Sequence, residues 1–209
     1  NLFSTNLYGI YSQSGFLPGF GQTIIDNDFF VKEDCRPDVS SFSERGIYLR
    51  DLGVVGDPRR IEGNTITLEG GTTGILGIAN NESVIFDNII NWADIKEYPY
   101  PSRGIDLRFG ERPTVERNLV EGLAQPDYEG VDGFVFRLVD QPNILCNAVD
   151  NVNDGMRFEG INNNTDLIAN DFYDAGTGLR LGDGEVDAII GQQGSVTENI
   201  QNGNECLVT

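Results

Sequence analysis

Two short motifs recur along this chain in a fixed phase, and together they constrain its fold more than any other feature. The first is a glycine that opens a short alternating segment: Gly46-Ile47-Tyr48-Leu49, Gly74-Ile75-Leu76, Gly104-Ile105-Asp106-Leu107, Gly133-Phe134-Val135-Phe136, Gly155-Met156-Arg157-Phe158 and Gly178-Leu179-Arg180-Leu181. These glycines lie 28, 30, 29, 22 and 23 residues apart. The second is an asparagine three positions after an apolar residue, at Asn64, Asn88, Asn118, Asn147, Asn170 and Asn199, and more loosely at Asn27. From four successive glycines to the next asparagine the step is 14, 14, 14 and 15 residues.

A constant step of this kind is the mark of one structural unit per repeat. Alternation inside each segment indicates strands, and a repeat of 22–30 residues indicates one coil of a solenoid. The expected fold is therefore all-β: a right-handed parallel β-helix of about seven coils. Ile105, Leu107 and Phe109, like Phe134, Phe136 and Leu138, are expected to point inward; Asp106, Arg108, Val135 and Arg137 are expected to point out. Glycine is expected to permit a tight turn into the strand. The asparagines, about 4.8 Å apart in stacked coils, are expected to form a structural ladder whose amides satisfy the backbone of a corner.

On these motifs the chain resembles the pectin-lyase-like superfamily of parallel β-helices. More narrowly, it is similar to β-helix repeat regions of large secreted surface proteins of Bacteroidota. The stretch from Asn170-Asp171-Phe172 through Gly178-Leu179-Arg180-Leu181 to Ile190-Gly191-Gln192-Gln193 carries the likeness best, and the resemblance covers about residues 24–204. It speaks for fold far more than for activity, because this superfold hosts lyases, hydrolases, epimerases and adhesins. Residues 1–23 are expected to lead in to or cap the first coil, and 24–209 to hold the repeats, incomplete at the C-terminal end. An incomplete end allows continuation of the chain or self-association, as in a subunit of an extracellular filament.

The charge is −19, from 33 acidic and 14 basic residues, which argues against nucleic acid as a partner. No apolar run reaches the ~18 residues of a membrane-spanning helix. There is no histidine, so the commonest neutral-pH acid–base group and zinc ligand are missing. No cofactor is expected. Calcium remains open, although Asp150-Asn151-Val152-Asn153-Asp154-Gly155 carries Val152 where an EF-hand loop needs an oxygen ligand. Cys35, Cys146 and Cys206 are widely spaced and odd in number, and isolated thiols are expected. A first residue other than Met, together with the resemblance, points to a processed, secreted or cell-surface chain.

Length variation falls between each asparagine and the next glycine, where the steps are 10, 16, 15, 8 and 8 residues. The two long connections hold Trp92, Asp94, Lys96, Glu97, Tyr98, Tyr100 and Arg103, then Gln125, Asp127, Tyr128 and Glu129. Flat aromatics beside polar groups suit sugar rings, so Trp92, Tyr98, Tyr100 and Tyr128 are candidate glycan contacts; core-covering aromatics are the competing reading. Beside them runs a column of Arg50, Arg108 and Arg137, with Arg157 and Arg180 one step earlier in register. Arg103, Arg108 and Arg137 are candidates to hold uronate or sulfate groups. The favoured alternative is a ladder in which Asp106 and Glu159 offset neighbouring arginines.

A non-catalytic structural, adhesive or glycan-binding module, with an extracellular polysaccharide or cell-surface partner, is thus the leading expectation. The alternative is a lyase or glycoside hydrolase on acidic polysaccharide, with Lys96, Arg103 or Arg108 as base, or Asp127/Glu129 or Asp94/Glu97 as an acid pair.

Overall fold

The computed structural model describes residues 2–5, 8–13, 23–31, 45–52, 58–69, 73–94, 102–123, 131–182 and 196–197. Among them there is no helix. The chain winds through three seven-stranded sheets in strict rotation, and every neighbouring pair of strands is parallel. This is a parallel β-helix solenoid. The second sheet, which carries the candidate arginines, stacks Tyr8–Gln13, Arg45–Leu52, Thr73–Asn80, Ser102–Arg108, Val131–Arg137, Asp154–Glu159 and Thr177–Leu181 in that order.

Like stacks on like. The first sheet sends Phe29, Ile66, Ile90, Val120, Val149 and Phe172 inward as one column, while the third sends Ile24, Ile61, Ile85, Val115, Ile144 and Leu167. The second contributes Ile47, Ile75, Ile105, Phe134 and Met156. Phe136 and Phe158 stack with ring centroids 5.0 Å apart. Each coil alone has nowhere to bury its apolar face; stacking gives all of them one continuous core.

The asparagine column closes the corner between the third and first sheets. Asn27, Asn64, Asn88, Asn118, Asn147 and Asn170 are all buried. From Asn64 onward, each Oδ1 accepts the backbone N–H and the side-chain amide of the asparagine one coil earlier, at 2.9–3.1 Å. Asn88 Nδ2 also donates to the carbonyls of Ile61 and Phe86, and Asn64, Asn118 and Asn170 repeat this pattern. The residue before each asparagine (Asp26, Gly63, Asp87, Arg117, Cys146, Ala169) has a left-handed φ of 52–64°. Five of these six are not glycine, so the ladder holds a conformation that costs an L-residue about 1–2 kcal/mol.

The repeat glycines serve a different purpose from the one expected. Gly46, Gly74, Gly104, Gly133 and Gly155 lie inside strands, and none is among the residues with positive φ. Instead, a Cβ on Gly104 would sit 2.6 Å from the Gly133 carbonyl oxygen and 2.6 Å from a Val120 methyl. Gly46, Gly74, Gly133 and Gly155 meet the same two obstacles, at 2.4–2.7 Å. The requirement is close approach between coils and sheets. Strand pairing also skips the glycine: Arg103 pairs with Asp132 and Ile105 with Phe134.

Other expectations need correction. Phe109 and Leu138 are 57% and 44% exposed, because both take left-handed φ values that end the strand and break the alternation. Asp106 and Val135 lie on the outer face, yet both are 0% exposed. Stacking extends further toward the N-terminus than the repeat signal. Strands Leu2–Thr5 and Tyr8–Gln13 already pair with the next coil, and Gly9 repeats the glycine close approach against Gly46. Finally, Cys146 is disulfide-bonded and not a free thiol. Its partner lies outside the described residues, as do Cys35 and Cys206. Sequence separation was a poor guide because Cys146 occupies a left-handed corner position and is not part of the buried core.

Candidate functional site

The glycine break shapes the outer face of the second sheet. Strict alternation would send the residue before each glycine to the same side as the core residues that follow. Because pairing skips the glycine, that residue joins the outer face instead. Arg103, Asp132 and Asp154 therefore stand in register beside the outer column of Asp106, Val135, Arg157 and Arg180. A further column holds Arg50, Ile78, Arg108, Arg137 and Glu159. The expected register of the five arginines is the observed one.

Asp106 is the centre of the first cluster. Arg108 grips it with two bonds, Nε to Oδ1 at 3.0 Å and Nη2 to Oδ2 at 2.5 Å. Arg103 Nη1 donates to Oδ2 at 2.8 Å, and Arg137 Nε stands 3.8 Å from Oδ1. Burial alone would raise the Asp106 pKa, but the Arg108 hydrogen bond and the charges of Arg108, Arg103 and Arg137 outweigh it and lower the value. Arg108 is the reciprocal case: burial opposes its charge, and Asp106 more than restores it. Arg137 fares worse. Burial and the neighbouring Arg103 and Arg108 push its pKa down against the pull of Asp106 and Glu159.

One coil on, the arginines sit between carboxylates. Arg157 Nη1 lies 3.0 Å from Asp132 Oδ2 and 3.8 Å from Asp154 Oδ2, and its Nε lies 2.9 Å from Glu159 Oε1. Arg180 Nη1 bonds Asp154 Oδ2 at 3.1 Å, and Arg137 Nε reaches Glu159 Oε2 at 2.9 Å. The Glu159 contacts are close but lack hydrogen-bond alignment, so Arg137 Nε and Arg157 Nε stay unsatisfied, as does Arg103 Nε. Asp132 and Asp154 are each 1% exposed and stacked in register. Neither oxygen of Asp132 accepts an aligned hydrogen bond. Burial is the main cause that raises the Asp132 pKa to about 6, opposed by Arg157 and helped by Asp154.

The ion-pair ladder expected from Asp106 and Glu159 is thus present, and it is not balanced. Five arginines (103, 108, 137, 157, 180) face four carboxylates (106, 132, 154, 159), and three of the five lie within 4 Å of Asp106, Arg137 being closer to Glu159. Asp132 and Asp154 were missed in the sequence. The signal was there: the residue before each repeat glycine is polar in six coils, as Arg45, Thr73, Arg103, Asp132, Asp154 and Thr177.

The aromatic candidates divide. Trp92 extends the first-sheet strand Ile89–Asp94 and packs in the core in register with Leu68, 4% exposed. Its ring is closed to a sugar, because Ile90 and Trp92 continue one inward alternation. The strand outlasts the point at which the loop was expected to begin. Tyr98, Tyr100 and Tyr128, with Lys96, Glu97, Asp127 and Glu129, lie outside the described residues. Among the described residues, no group of three or more His, Cys, Asp or Glu side chains is arranged to hold a metal ion.

Fold and face together define the class: a parallel β-helix with an arginine–carboxylate cluster on one outer sheet. No family model matches the chain, and no curated protein or solved structure matches it either.

Proposed function

We propose that this chain is a secreted, non-catalytic β-helix module that binds an extracellular glycan along the outer face of its second sheet. The observation that carries this reading is the convergence of Arg103, Arg108 and Arg137 on the single buried Asp106. Asp106 bonds Arg103 and Arg108, and Arg137 lies between Asp106 and Glu159, so these side chains have less entropy left to lose on binding. Their remaining N–H groups outnumber what Asp106 can accept, and guanidinium donors suit hydroxyl, carboxylate and sulfate oxygens. The disulfide at Cys146 supports an oxidising, extracellular setting. The coil architecture supports placement with the pectin-lyase-like β-helices.

The test is a glycan array followed by titration of the best binder against the Arg108→Ala, Arg137→Ala double variant. Loss of affinity by tenfold or more, with the thermal transition retained, is the expected result. Unchanged affinity removes the face from consideration, and turnover of any bound glycan removes the non-catalytic reading.

A further inference from the structure

We propose that the outer face of the second sheet takes a polyanion, and that Asp132, stacked on Asp154 with Arg157 held between them, gates this binding by proton uptake. The inference rests on the binding reading above and adds its ligand class and its regulation.

The ligand class follows from the charge count. With every described group ionised, the cluster of five arginines and four carboxylates is one positive charge in excess, on a chain whose total is −19. The excess is concentrated at Arg103, Arg108 and Arg137. Burial and its arginine neighbours depress the pKa of Arg137 against the pull of Asp106 and Glu159. An anionic oxygen placed there adds counter-charge to that which Asp106 and Glu159, the latter shared with Arg157, already supply.

The gate follows from geometry. Asp132 stands between two coils. From the strand before it, it faces Arg103, with Asp106 and Arg108 beyond; its own strand adds Arg137; the strand after it adds Asp154, Arg157 and Glu159. Two carboxylates stand in adjacent rungs, both closed to solvent; Arg180 bonds Asp154, whereas Asp132 pairs with Arg157, which Asp154 and Glu159 also draw. Holding both ionised is unfavourable, and the Asp132 carboxyl accordingly titrates at about 6. A proton on Asp132 removes one negative charge and frees Arg157 from one of its partners. The local excess then doubles from one charge to two.

The composition makes this gate unusually easy to read. Ordinary carboxyls titrate mostly below about pH 5. The chain has no histidine, so a group on this face that changes charge by half near pH 6 is a carboxyl with raised pKa. Asp150, raised by burial and by Asp174, is another such group among the described residues, and it lies in the first sheet.

The experiment is a titration with a dextran sulfate oligosaccharide, whose charge is constant over this range, at pH 5.0 and 7.0 and low salt. Wild type is expected to bind roughly 3- to 10-fold tighter at pH 5.0, the scale of one added charge at a partly screened site. Asp132→Asn keeps the size of the side chain and mimics the neutral acid. It is expected to bind equally at both pH values, at the strength of acidified wild type. The carboxyl carbon resonance of Asp132, followed by NMR without ligand, is expected to titrate near pH 6. Binding of equal strength at both pH values, or an Asp132 midpoint below pH 4.5, overturns the gate and leaves the binding reading standing. No binding at either pH overturns both.

Discussion

Two residues change meaning between sequence and structure, and each gives a test at its own scale. Trp92 is a core residue whose indole N–H has no partner. A buried donor left unpaired costs about 1–3 kcal/mol, so Trp92→Phe loses some packing and also removes a penalty. Chemical denaturation of Trp92→Phe is expected to show a change within about 1.5 kcal/mol of zero, and that of Trp92→Ala a loss of about 3–5 kcal/mol. A small effect in Trp92→Ala would return the ring to the surface. Cys146 gives the second test. With one disulfide among three cysteines, thiol titration of the denatured, unreduced chain is expected to count one free group; three would refute the bridge. Neither residue was legible. A tryptophan beside prolines and tyrosines reads as loop until the strand's length is known. A disulfide depends on where side chains point, which spacing does not encode.

At the scale of the element, the corner and the strand are governed by different columns. The asparagine ladder was readable because a buried amide with fixed phase has few other uses, and the structure repeats it over six coils. Asn118→Ala leaves the Asn88 backbone N–H, which now bonds Asn118 Oδ1, without its acceptor. It also removes donors to the Ile85 and Glu116 carbonyls. Thermal unfolding of this variant is expected to report a loss of about 2–4 kcal/mol, far above that of a surface Asn→Ala change. The glycine column was found and misread. Its spacing is plain, but its purpose depends on the Gly133 carbonyl oxygen, 29 positions away, which would stand 2.6 Å from a Cβ on Gly104. For the same reason the outward placement of Asp132 and Asp154 was hidden. Period-2 reasoning fails by one residue wherever pairing skips the glycine, and Arg103, Asp132 and Asp154 of the ionic cluster lie on the far side of that skip.

For the whole molecule, the ionic face sets the pH dependence of stability. The folded chain holds the Asp132 proton up to about pH 6, whereas the unfolded chain releases it near 3.8. Between these values the folded state binds more protons, so stability falls as pH rises, and the full penalty is present above pH 6. Asp106 works the other way: its lowered pKa contributes stability above 3.8 that is lost as pH falls below it. From these two groups, stability is therefore expected to be greatest near pH 4 and to fall from there to pH 6. Scanning calorimetry should show the transition temperature rising by a few degrees from pH 7 to 5, on the order of 1 kcal/mol. Asp132→Asn is expected to flatten that rise, and an unchanged rise in the variant would assign it elsewhere. The solenoid itself was legible from phase alone, whereas the imbalance of the face depends on which side chains meet across coils.

The binding face is tested most directly by a crystal structure of the chain grown at pH 5 with a sulfated or uronate oligosaccharide. The expected result is an anionic group of the sugar within hydrogen-bond distance of Arg108 and Arg137, with Asp106 still gripped behind them. An ordered sugar bound on the first or third sheet, with Arg103, Arg108 and Arg137 untouched, would contradict it.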